Sequence, residues 1–287
     1  MQNIAKLHFL AYDFGMSPLD EFVDECLSQG RATFTRADAR KALALKEAGL
    51  VSALVRLTRR KRLASPHRGF FIILRPEDRP VGAPDPAQWI APLMRFLELD
   101  YRVSLLRAAA FHGSSHQAAM VFQVMVPRQL RGFQLGRHRV QFLTQTAGAF
   151  AAVNQPEYLD RIKTDTGFAK VAGHALTLFD CTRYAAKAGG LSAVAQIVKD
   201  IGHKADPQAL ARLAAHYETS CVRRLGYLLE RCGHGPQAVA LEPFAARAKT
   251  AVALNPSAQP LFDSVAVAQA RSPKWKLILN ENVEVDF

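Results

Sequence analysis

The chain has 287 residues, 49% hydrophobic and 22% charged, and 37 Lys+Arg against 25 Asp+Glu give a formal net charge of +12. That length supports two domains with cores of their own, and a composition without low-complexity tracts excludes a disordered or fibrous chain. The positive balance, with a pI near 9.8, argues for a polyanionic partner, either nucleic acid or an acidic membrane surface.

The charge is concentrated. Residues 31–75 hold twelve Lys/Arg against two acids, Asp38 and Glu47, a local excess of ten. Cys26, Cys181, Cys221 and Cys232 form no CxxC pair and no Cys/His cluster, so neither a zinc site nor a close disulfide is expected. The opening MQNIAKLHFLAYDF lacks a signal-peptide pattern, because Asp13 interrupts its short apolar patch. The longest apolar runs, such as FFIIL at 70–74, fall far short of a membrane span. A reduced, cytoplasmic protein without a membrane partner is expected.

In chain order, SPLDEFVDECLSQ at 17–29 opens with Ser17, Pro18 and Asp20, a capping box with proline at the first helical position. Leu19, Phe22, Val23, Cys26 and Leu27 recur at helical spacing and Gly30 supplies the stop. This first helix is acidic and reads as scaffold. Thr33-Phe34-Thr35 is a short extended step, and Thr35 with Asp38 repeats the capping box ahead of a second helix ending near Leu43. A third helix over 46–60 puts Leu50, Val51, Leu54 and Leu57 on one stripe. Lys46, Gly49, Ser52, Arg56 and Arg59 fall opposite. Small residues there allow a deep seat in a major groove, and arginine forks onto guanine O6/N7 or a phosphate. Gly49 leaves the start of this helix open between Lys46 and Val51.

Residues 62–65 and 69–74 then read as a β-hairpin closed by Ser65-Pro66-His67-Arg68. Helix, helix and hairpin in this order make a winged helix-turn-helix, with the hairpin as its wing. The candidate DNA contacts are Thr33, Thr35 and Arg36 on phosphates, and Lys46, Ser52, Arg56 and Arg59 in the major groove. Arg60, Lys61 and Arg62 follow at the helix end, and Arg68 sits on the wing. The run TRRKR at 58–62 also suits a solvated helix terminus whose cations complement the helix dipole. The expected organisation is a winged-helix domain over 1–77, a Pro-rich linker over 78–88, and a larger mixed α/β domain over 89–287. The fold class is therefore α+β.

Beyond the linker, 89–97 and 103–111 are helical by period, 121–126 and 140–143 are strands, and 168–171 is a short strand. Helices follow over 173–184, 191–201, 206–217 and 219–232, with a weaker turn at 244–248 and a terminal strand at 275–279. Residues 95–139 carry seven Lys/Arg against two acids, and Arg107, Arg128, Arg131, Arg137 and Arg139 form a possible second basic face. The alternative is a solvated hairpin. His112-Gly113-Ser114-Ser115-His116 places hydroxyls beside imidazoles, but no GxSxG elbow or HExxH motif accompanies them, and a helix C-cap at Gly113 explains the same letters. Lys163-Thr164-Asp165-Thr166-Gly167 lacks the glycines of a phosphate loop and reads as a polar turn. No catalytic residues, metal ligands or cofactors are expected.

With these segments in view the chain resembles the AbiEi family, the antitoxins of AbiE-type (type IV) toxin–antitoxin systems, over nearly its whole length. The likeness rests on the capped basic helices and wing at 33–74, and on RVSLLRAAAFHGSSHQ (102–117) and VFQVMVPRQLRGFQLGRHRVQF (121–142). It continues in KTDTGFAKVAGHALTLFDCTRY (163–184), GGLSAVAQIV (189–198), RRLGYLLERCG (223–233) and WKLILNENVEVD (275–286). The resemblance implies a winged helix that binds inverted repeats of double-stranded DNA in the operon's own promoter. It also implies a C-terminal domain that neutralises a nucleotidyltransferase-like toxin without needing a stable complex. The wing here is less arginine-rich than is common in that family, which bears on the bases read. Two other readings stay open: an enzyme or RNA-binding factor acting through the second domain, and a ligand-sensing transcription factor with no toxin.

Overall fold

The structure is a computed structural model and describes residues 16–114, 121–257 and 270–283. The chain divides into two compact units, one of residues 1–99, 132–140 and 163–169, the other of 100–131, 141–162 and 170–287. Both mix helix and strand, as the α+β expectation requires.

In the first unit, helix α1 (Pro18–Ser28) starts where Ser17 and Asp20 cap each other, the Ser17 hydroxyl donating to Asp20 Oδ2 at 2.6 Å. Strand β1 (Thr33–Thr35) leads into α2 (Arg36–Ala42), whose Thr35–Asp38 box closes with the Thr35 backbone N–H donating to Asp38 Oδ2 at 2.8 Å. Helix α3 (Glu47–Arg59) begins at Lys46 and includes Gly49 in its first turn. It stops where Lys61 takes the left-handed conformation (φ 54°) and the Arg62 N–H donates back to the Leu57 carbonyl.

Strands β2 (Leu63–His67) and β3 (Phe70–Ile73) complete a sheet of order β1-β3-β2, antiparallel throughout. The turn is shorter than expected and lies later in the chain. His67 pairs with Phe70, leaving Arg68-Gly69 as a two-residue loop in which Gly69 has φ +87°. Ser65 and Pro66 sit instead in a bulge between Ala64 and His67, which the Ser65 hydroxyl bridges by donating towards the His67 and Phe70 carbonyls. The core under this sheet joins Leu19, Phe22, Phe34, Leu50, Leu54, Leu57 and Phe71, and Phe34 meets Phe22 edge-on at 5.3 Å and stacks on Phe71 at 5.4 Å.

Residues 78–88, expected to be a linker, lie within this first unit. They hold a 3-10 turn at Pro86–Gln88 and follow another at Pro76–Asp78. The buried Trp89 donates through Nε1 to the Pro84 carbonyl at 3.0 Å. Helix α4 (Ile90–Phe96) brings Phe96 against Phe70 and His67 of the hairpin. His138 Nε2 donates to the Ala83 carbonyl at 3.1 Å. A Cβ on Gly136 would fall 2.2 Å from the Val81 carbonyl oxygen, and only glycine permits that approach at φ +57°.

The largest sheet runs β6-β7-β5-β4-β9-β8, from β4 (Arg102–Val103), β5 (Val121–Val126), β6 (Phe133–Leu135), β7 (His138–Thr144), β8 (Leu159–Thr164) and β9 (Gly167–Ala172). β4 pairs antiparallel with β5 and parallel with β9. In the second unit its helices are α5 (Leu105–Phe111), α6 (Ala147–Val153), α7 (His174–Arg183), α8 (Leu191–Ile201), α9 (Pro207–Ala214) and α10 (Thr219–Arg231), with short α11 (Gly235–Val239) and α12 (Glu242–Ala246). A small sheet of β10 (Val252–Ala253), β11 (Arg271–Ser272) and β12 (Leu277–Ile278) follows, in the order β10-β12-β11. It holds the fully buried Trp275, whose ring lies so close to Gly226 that a Cβ there would fall 2.1 Å from it.

Candidate nucleic-acid interface

Helix α3 separates its faces sharply. Leu50, Ala53, Leu54 and Leu57 are buried, while Lys46, Ser52, Arg56, Arg59, Arg60 and Lys61 are all exposed; Val51, expected on the leucine stripe, is exposed as well. No acid follows Glu47 on this helix, and Glu47 itself lies 3.5 Å from the Arg36 guanidinium. The outward side is therefore a cationic surface on a rigid element, the arrangement that phosphate and base-edge contacts need.

Beside it, Thr35, Arg36, Ala37, Arg40, Glu47, Arg68, Gly69 and Phe96 line a groove of about 260 Å³. Three guanidinium-bearing residues from α2 and the wing thus share one depression. Arg40 was not among the residues expected from sequence, although it lies one turn from Arg36 on α2. Its spacing was the available signal. The Thr35 hydroxyl is engaged with Asp38, donating to the carboxylate at 2.9 Å and accepting its N–H at 3.1 Å, and Thr33 lies in the β1 ladder opposite Ile72.

Arg62 does not join the cationic surface. Its Nη1 donates to Asp20 Oδ1 at 3.1 Å and its Nη2 donates to Asp24, so it ties the start of β2 to α1. Arg107 also departs from expectation. Its guanidinium lies over the Phe111 and Phe122 rings at 4.8 and 5.6 Å, a packed rather than outward position. Arg128, Arg131, Arg137 and Arg139 are exposed, the last two on the β6–β7 hairpin, whose strand β6 lies alongside β2 in the first unit.

The second unit contains two polar clusters. In the first, Arg102 and Asp180 are both fully buried. Arg102 Nε donates to Asp180 Oδ2 at 3.0 Å and Nη2 to Oδ1 at 3.1 Å, while Nη2 also reaches Gln145 Oε1 at 3.0 Å. Ser104 and Tyr217 donate their hydroxyls to the same carboxylate at 2.6 and 2.7 Å. Burial first, then the Asp180 charge, pushes the Tyr217 hydroxyl pKa well above its usual value, so this phenol stays protonated as a donor. Ser104 is fully buried and reaches no solvent-borne substrate. The cluster is a satisfied structural network.

In the second cluster, His112, Asp160 and His174 bring donor atoms within 4.8 Å of one another. His112 Nε2 donates to the Ala172 carbonyl at 2.6 Å. The two rings are tilted against each other, with centroids 4.1 Å apart and planes 33° apart. Burial, then the His112 ring, lowers the His174 pKa and keeps it neutral. Gly113 (φ +98°) follows the C-cap His112, and Ser114 donates to Asp200 at 2.6 Å. Ser115 and His116 lie outside the described residues.

Among the described residues no helix is long and apolar enough to cross a membrane. No curated protein matches this chain significantly in sequence. The fold is similar to the crystal structure of the RV2827C protein from Mycobacterium tuberculosis, with TM-score 0.62, 18% identity, and 89% of each chain covered. Residues 102–231, which contain both polar clusters of the second unit, match the family model of the AbiEi antitoxin C-terminal domain. The likeness to the AbiEi antitoxins thus rests on residues 102–231, most of them in the second unit.

Proposed function

We propose that this chain is the DNA-binding antitoxin of a type IV toxin–antitoxin system. Its first unit is read as a winged helix-turn-helix that binds inverted repeats in the operon's promoter and represses transcription. Its AbiEi domain neutralises a nucleotidyltransferase-like toxin, without a stable complex between them. The observation that carries the DNA reading is the outward face of α3, where Arg56 and Arg59 stand exposed above a buried leucine stripe. The face lies on a regular helix, Glu47–Arg59, packed by its leucines into the core of the first unit, which favours base readout over diffuse attraction. Arg68 and the groove arginines Arg36 and Arg40 serve the backbone phosphates.

The test is a gel-shift titration of the full chain on the DNA upstream of its own gene, repeated across salt concentrations, because the slope counts phosphates neutralised. Arg56→Ala and Arg59→Ala each weaken binding by about 1–3 kcal/mol and relax specificity. Wild-type affinity in both variants would refute the assignment of α3 as the recognition helix. Co-expression with a nucleotidyltransferase encoded beside the gene tests the antitoxin role separately: the full chain restores growth, and the Arg56→Ala variant does so equally well.

A further inference from the structure

Two residues on the outward face of α3 are neither polar nor buried. Val51 and Val55 are 40% and 45% exposed and lie one turn apart. The other large exposed apolar residues among those described are Met16, Phe168 and Val239, no two of them on the same helix or strand. Among the described residues, α3 alone carries two such side chains, one turn apart. Around the pair stand Ser52, Arg56 and Arg59, all exposed.

We propose that Val51 and Val55 are specificity residues that pack on thymine 5-methyl groups in the major groove. The inference rests on the winged-helix reading above. The chemistry is complementary: the 5-methyl is the only apolar group a base pair shows in that groove, and an aliphatic side chain is its natural contact. The spacing agrees, since the four residues from Val51 to Val55 advance about 6 Å along the helix and a base step about 3.4 Å, so the two valines face bases one or two steps apart. The charge agrees as well, because the valines lie inside a cationic surface that draws DNA and repels a second copy of the same face. The arginines supply attraction and guanine readout, and the valines distinguish thymine from cytosine.

The experiment replaces thymine by deoxyuridine, which pairs identically and lacks only the methyl, throughout the footprinted half-sites of the upstream duplex. Wild-type full chain binds the deoxyuridine duplex about three- to fivefold more weakly for each contacted methyl removed. A Val51→Ala/Val55→Ala variant, with its fold checked by circular dichroism, binds both duplexes alike and matches the wild type on deoxyuridine DNA to within about twofold. Equal wild-type affinity for both duplexes overturns the proposal while leaving DNA binding intact. It is also overturned if the double variant keeps the thymine preference, or if the substitutions instead turn a dimer into a monomer by sedimentation. Absence of any salt-dependent DNA binding by the wild type would overturn the winged-helix reading, and this inference with it.

Discussion

Replacing Asp180 with Asn tests what holds the second unit together. Asp180 is fully buried and accepts from Arg102 Nε and Nη2, Ser104 and Tyr217 at 2.6–3.1 Å. Asparagine keeps the shape, but it removes the charge and turns an amide N–H₂ toward donors. Arg102, also fully buried, then keeps its cation beside only the neutral oxygens of Gln145 and Asn154. Removing one partner of a buried pair costs about 3–5 kcal/mol, because the remaining charge is uncompensated. For a domain of this size that lowers Tm by roughly 10 °C. Calorimetry of wild type and Asp180→Asn measures it, with urea unfolding as a second readout. Arg102→Met/Asp180→Leu, which leaves no isolated charge, costs less than the sum of its single changes. A loss below about 1 kcal/mol in Asp180→Asn, or strictly additive singles, would refute the account of the network as a coupled keystone.

Other outcomes follow from neighbouring geometry. Arg62→Gln lowers stability by about 1 kcal/mol, its partly exposed pairs with Asp20 and Asp24 being discounted for solvent; the salt slope of DNA binding stays unchanged, whereas Arg59→Gln reduces it by about one. Gly226→Ala drives a methyl into the Trp275 ring and destabilises by about 1–3 kcal/mol, read as an earlier loss of buried tryptophan fluorescence. His174 has its pKa held below the ordinary value of 6.5 by burial and by His112. The unfolded chain therefore takes up a proton that the fold resists, so this contribution to stability is complete above about pH 6.5 and declines as pH falls beneath it. His174→Gln flattens that decline, and denaturation curves between pH 5 and 7 that superimpose for variant and wild type would count against it.

Much of the first unit was legible because its signals are local. The Ser17–Asp20 and Thr35–Asp38 boxes and the leucine stripe of α3 each involve residues within a few positions of one another, and helix and cap energies act over that range. The main helices of the second unit were equally visible by period. α6 and α11 were not, since AGAFAAV and GPQAV carry too little apolar contrast to show a stripe. The two-residue strands β10 and β11 give no alternation to detect.

The wing's turn was placed too early because Ser65-Pro66 reads as a loop, while the Ser65 hydroxyl can bridge a bulge that only the folded ladder creates. The predicted basic residues divide on the same principle. Arg59 and Arg62 are three apart and alike on paper, yet one faces solvent and the other is claimed by carboxylates 38 and 42 positions earlier. Arg107 reads as basic surface until Phe122 is brought under it.

The sequence by itself determined where the capped helices and the hairpin lie, which side of α3 is apolar, and that the positive charge gathers on that segment. Tertiary structure alone decided which cations remain free, that residues 78–88 fold within the first unit, and that Arg102 meets Asp180 across 78 positions. The physical reason is range. Propensity, capping and periodicity act within a turn or two of chain, whereas ion pairing, aromatic stacking and burial depend on neighbours that only the folded chain brings together.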